Sequence, residues 1–92
     1  MKIQLTFAGD SKILNALAKF LGEFEKISPE PVYPPRAICG EDNVIYVEVG
    51  YRTEEETVLV GDRMAEIGAA IVEETDVLVA LAPFVVEEAR QT

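Results

Sequence analysis

Residues 37–56, AICGEDNVIYVEVGYRTEEE, decide the fold, because a hairpin and the start of a helix are both written in them. From Val44 to Arg52 the residues alternate, with Ile45, Val47, Val49 and Tyr51 on one side and Tyr46, Glu48 and Arg52 on the other. A period of two is that of a strand with one buried face. Glu41, Asp42 and Asn43 make a turn before it, so Ala37–Gly40 is expected to pair back as the other arm of a hairpin. Beyond Arg52 two readings compete. Thr53 and Glu56 have the spacing of a capping box, in which each side chain accepts an N–H at a helix start. Thr57–Val60 is mostly β-branched and suits a strand. The helix reading is favoured, since Val60, Met64, Ile67, Gly68 and Ile71 fall on one helical face; on the strand reading the helix starts only after Asp62. Either way it ends near Thr75.

Before the hairpin, Ile3, Leu5 and Phe7 alternate with Lys2, Gln4 and Thr6, which predicts a first strand over residues 2–8. Asp10 is a helix N-cap candidate, and Ile13, Leu14, Leu17, Phe20, Leu21, Phe24 and Ile27 recur at steps of three and four, an apolar stripe for a first helix. Lys12, Lys19 and Lys26 form a line on its polar side. Four of the five prolines fall in residues 28–36, SPEPVYPPR, an extended connector in which fixed φ angles and missing N–H donors exclude helix. Val77–Val86 reads as a final strand, and Pro83 within it requires an edge position. The order βαββαβ in one α+β domain, residues 1–92, matches the split βαβ, or ferredoxin-like, plan: a two-layer sandwich with a four-stranded antiparallel sheet ordered 4-1-3-2 and two helices on one face. A three-stranded βαβαβ arrangement is the alternative. Neither plan carries a function by itself.

The 92 residues allow a single core, and 49% apolar content separates the chain from disordered acidic sequences. Its charge is uneven. Every lysine lies at or before Lys26, and residues 31–92 hold thirteen carboxylates against four arginines, which accounts for the whole net charge of -9. Such a field repels nucleic acid and steers basic partners. The start MKIQLTFAGD breaks its apolar run at Gln4 and Thr6 and does not read as a signal peptide, and Val77–Val86 is about half a membrane span. A cytoplasmic location without membrane contact is expected.

With no histidine, no glycine-rich phosphate loop and a single cysteine, the chain offers little for catalysis, metal or cofactor binding, and none of these is expected. Cys39, between Ile38 and Gly40, lacks an activating base and is expected to be a buried structural thiol. Glu54, Glu55 and Glu56 suit the positive end of a helix dipole better than a cation site. The more informative pattern is Asp62, Glu66 and Glu73, joined by Glu55 if the helix starts early, since these align within about 40° as a ridge of carboxylates. Tyr33 and Arg36, in the stiff VYPPR segment, form a second candidate contact surface. The leading expectation is a non-enzymatic acidic binding protein that docks a basic protein surface and modulates or inhibits it. A phage or mobile-element inhibitor of a nucleic-acid-handling machine would have this character. The alternative is a dimeric small-ligand-binding regulatory or sequestering module using Arg36, Tyr46 and Arg52, with homodimerisation through the sheet or between lysine line and acid row.

Overall fold

The computed structural model describes residues 4–5, 11–42 and 44–87. Its elements are β1 (Gln4–Leu5), α1 (Ser11–Ile27), β2 (Arg36–Cys39), β3 (Ile45–Tyr51), α2 (Glu54–Thr75) and β4 (Val79–Val85), so the element order is βαββαβ. The N-cap expected at Asp10 and the first strand beyond Gln4 and Leu5 fall outside the described residues.

Residues 54–61 are helical, capped by Thr53. Thr53, in extended backbone geometry, accepts the Glu56 N–H on its hydroxyl at 3.2 Å, and the Thr53 N–H donates to Glu56 Oε1 at 3.2 Å. Together these satisfy two donors that a helix start otherwise leaves bare. Val60, Met64, Gly68 and Ile71 are buried along one face, and that burial outweighs the strand propensity of Thr57 and Val58. The helix stops at Asp76, whose left-handed backbone (φ 60°) turns the chain while its N–H closes on the Val72 carbonyl at 2.9 Å.

The hairpin forms as read, with Ala37 opposite Val47 and Ile38 opposite Tyr46. The strand order is β1-β2-β3-β4, with β1 parallel to β2, β2 antiparallel to β3 and β3 parallel to β4. This departs from the expected antiparallel 4-1-3-2 sheet. The reason lies between β3 and β4, which pair along seven residues from Ile45↔Val79 to Tyr51↔Val85 and so leave no slot for β1. Gly50 permits it: a Cβ there would stand 2.6 Å from a Val86 methyl and 3.2 Å from the Phe84 ring. With β2 and β4 flanking β3, β1 lies on the outer side of β2, where the described residues Gln4 and Leu5 pair with Arg36 and Ala37. β2, β3 and β4 form the three-stranded body of the sheet, with β1 added at its β2 edge, and the three-stranded alternative fits in that number.

Pro83 does sit on an edge. The Ile45 N–H donates to the Leu78 carbonyl at 2.9 Å and the Val86 N–H to the Tyr51 carbonyl at 2.8 Å. Even-numbered residues here turn their backbone groups toward β3, so the nitrogen of Pro83 faces the open edge, where no ladder bond is lost. Side chains alternate accordingly. Ile45, Val47, Val49, Tyr51, Ala37 and Val79 point toward the helices and form one buried cluster with Ala16, Leu17, Phe20 and Phe24 of α1 and Val60, Met64 and Ile71 of α2. Both helices therefore cover the same sheet face. Gly68 lets α2 lie directly on β4, since a Cβ there would come 2.7 Å from the Val79 carbonyl oxygen. The proline connector closes over the end of β3: the Val32 N–H donates to the Gly50 carbonyl at 2.8 Å and Pro35 is fully buried.

Candidate functional site

The α2 helix has one cation, Arg63, among its acidic residues. Glu55, Asp62, Glu66 and Glu73 are all exposed, and at 100° per residue they lie within about 40° of one another, opposite Val60, Met64 and Ile71. Eighteen residues at 1.5 Å each make the ridge roughly 27 Å long. Among the described residues none of these four pairs with a cation. Leu59 falls on the same ridge and Val58 beside it, and each is 60% exposed. The ridge is therefore an apolar knob within a line of carboxylates. Val58 and Leu59 were assigned no role from the sequence; their absence from the stripe of Val60, Met64, Ile67, Gly68 and Ile71 and their position among Glu55, Asp62 and Glu66 were the available signal.

The lysine line of α1 borders a different surface. Lys19 pairs with Glu74 across the interhelical groove, and Lys26 bonds Glu23 on its own helix at 3.2 Å. The groove is lined on one side of the Lys19–Glu74 bridge by Lys12, Asn15 and Thr75, and on the other by Gly22, Ile67 and Ala70. Only Glu74 of the α2 carboxylates turns toward it.

Tyr33 and Arg36 are exposed but do not join the ridge. Arg36 stands opposite Glu48 on the uncovered sheet face, with its Nε 3.9 Å from Glu48 Oε1, so the sheet separates it from α2. Tyr46 shares that face. Its hydroxyl donates to Asp42 Oδ2 at 2.9 Å, which holds the Asp42 carboxyl below its ordinary pKa, aided by the Val44 N–H, and raises the phenol. Arg52 lies beyond the other end of β3 and reaches the Glu30 carbonyl at 3.4 Å. Six residues of strand separate Tyr46 from Arg52, about 20 Å, so Arg36, Tyr46 and Arg52 do not converge on one small ligand.

Cys39 is exposed, contrary to the expectation of a buried thiol. It is the last residue of β2, at the turn into β3, and its side chain lies outside the buried cluster. Its Sγ lies 3.7 Å from the Gly40 carbonyl oxygen. Among the described residues no three cysteine or carboxylate side chains gather to hold a metal ion, and no helix is long and apolar enough to cross a membrane. No family model, curated protein or solved structure matches this chain.

Proposed function

We propose that this chain is a non-enzymatic docking module of the cytoplasm whose α2 ridge engages a basic protein surface and modulates or blocks it. One observation carries the reading: Val58 and Leu59 stand 60% exposed on the same rigid helix face as the unpaired carboxylates. Folding gains nothing from that exposure, whereas an apolar anchor inside a polar rim is the usual anatomy of an interface hot spot. The carboxylates supply steering, since aligned charges on a rigid element accelerate association with a surface of opposite sign. Arginine and lysine groups that grip phosphates accept carboxylates by the same charge-assisted bonds. A nucleic-acid-handling protein is therefore a partner class the ridge would obstruct.

The test begins with capture from a cell lysate at low and high salt and mass spectrometry of what binds. Association kinetics with that partner follow. Reversing Asp62, Glu66 and Glu73 to lysine should slow association at least about tenfold at low salt, with the gap closing as screening shortens to roughly 8 Å at physiological ionic strength. Leu59→Ala should instead speed dissociation, because the anchor acts after encounter. Lys12→Glu with Lys26→Glu should change little. The reading fails if the triple reversal has no effect while Tyr33→Ala or Arg52→Ala abolishes binding.

A further inference from the structure

The helices cover only one side of the sheet, and the register fixes what the other side shows. Ile38, Tyr46 and Ala80 form one row across β2, β3 and β4; Arg36, Glu48 and Ala82 form the next; Gly50 and Phe84 follow, with Val86 behind them. Phe84 is 47% exposed, and its ring lies against Gly50 where a side chain would otherwise stand. Within a chain of net charge -9 the described residues of β2, β3 and β4 put one arginine and one glutamate on this face, with Asp42 at its margin on the Tyr46 hydroxyl.

From this arrangement we infer that the open sheet face is a self-association surface, and that its occupant is a second copy of the chain related by a two-fold axis. Charge decides among occupants. A basic partner is drawn to the α2 ridge on the far layer, and an acidic one, a second copy included, is repelled by the molecule as a whole, so the occupant of this face must match its few local charges. A second copy meets a face that is nearly neutral and self-complementary. Arg36 and Glu48 make only a 3.9 Å pair within the chain, and a two-fold contact offers each the opposite charge of the other copy. The acid ridges would lie outermost, each at least a helix diameter of about 10 Å behind its sheet, so the two are separated by more than twice the screening length of roughly 8 Å at physiological salt.

Size sets the strength. The seven residues each of β3 and β4 and the four of β2, in strands about 4.8 Å apart, give a face of at most roughly 14 by 23 Å. Two such faces bury less than the ~1,200 Å² at which stable complexes begin, so the dimer is a weak one with a dissociation constant on the order of 100 μM. Its salt dependence is opposite to that of ridge docking. Screening the net repulsion strengthens the dimer, while the same salt weakens binding to a basic partner.

Sedimentation equilibrium up to about 500 μM protein, at low salt and at about 0.5 M salt, reads this directly. The dimer fraction should rise with salt in the unaltered chain, fall to background in Phe84→Glu and in Ala82→Glu, and persist in Leu59→Glu. Isotope-filtered NMR on a mixture of labelled and unlabelled chain should show the exposed Phe84 ring touching the other copy, which needs no variant to fold. A monomer throughout overturns the inference. So does a dimer that survives both glutamate variants, or one that salt dissociates, which would place the lysine line of one copy on the acid ridge of the other. Partner binding by Phe84→Glu should be unchanged, so failure of the ridge reading and failure of this one are separable.

Discussion

Tyr51 shows how a single side chain ties distant parts of the chain together. Its ring is fully buried beneath the helices, while its hydroxyl lies 2.6 Å from the Ser28 hydroxyl at the start of the proline connector. Burial raises the phenol pKa above its ordinary 10.0, with the Ser28 bond pulling the other way and the Glu56 charge adding to the rise. The unfolded chain ionises near that ordinary value and the folded chain only above it. The proton held in the folded state therefore adds stability that is complete below about pH 10 and declines as pH climbs through the folded value. Urea unfolding at about pH 9 and about pH 11 should show a steeper loss in the unaltered chain than in Tyr51→Phe. Equal slopes would mean the phenol ionises as freely folded as unfolded. The inward position of Tyr51 was legible from alternation alone. Its Ser28 partner, 23 residues away, was not, because nothing local specifies where a connector closes.

At the scale of elements, boundaries written in local chemistry were readable and pairings across the chain were not. Thr53 and Glu56 announced the start of α2, and both capping bonds are present. Thr53→Ala should cost about 1 kcal/mol in chemical denaturation, the usual loss for a capped helix start, and an unchanged midpoint would make the box ornamental. Leu17, buried mid-stripe on α1, should cost roughly 2 to 5 kcal/mol as alanine. Ile67 only packs against the core from the interhelical groove, so its alanine should cost less than that of Leu17. Strand order escaped the sequence for a physical reason. Alternation in residues 2–8 and the apolar run of residues 77–86 mark each segment as a strand, while the choice of neighbour turns on contacts such as Phe84 and Val86 over Gly50, whose partners lie more than thirty residues apart. Pro83 narrowed the choice to an edge without saying beside which strand.

Across the whole molecule, charge is sorted by layer, and that sorting has a cost in stability. Glu54, Glu55 and Glu56 favour the α2 macrodipole at its start, but Glu73 and Glu74 oppose it at the far end, where the last turn holds no basic residue. Lys19 offsets Glu74 and nothing described offsets Glu73. Asp62 and Glu66, four residues apart, repel along the same face. Each effect is worth a few tenths of a kcal/mol, so the combined neutral variant Asp62→Asn, Glu66→Gln and Glu73→Gln should be more stable by about 1 kcal/mol at low salt. For a domain this small that is a rise in Tm of roughly 4 to 8 °C, shrinking toward zero in about 0.5 M salt as the repulsion is screened. The net charge was plain in the sequence, but only the packing shows that the ridge stands on one layer and the near-neutral face on the other. If the row serves a partner, this more stable variant must also associate more slowly with it, since the repulsion relieved within the chain is the attraction removed between chains. A variant that gains stability and keeps its association rate would show the ridge to be solvated surface and leave Val58 and Leu59 to act through their apolar contact alone.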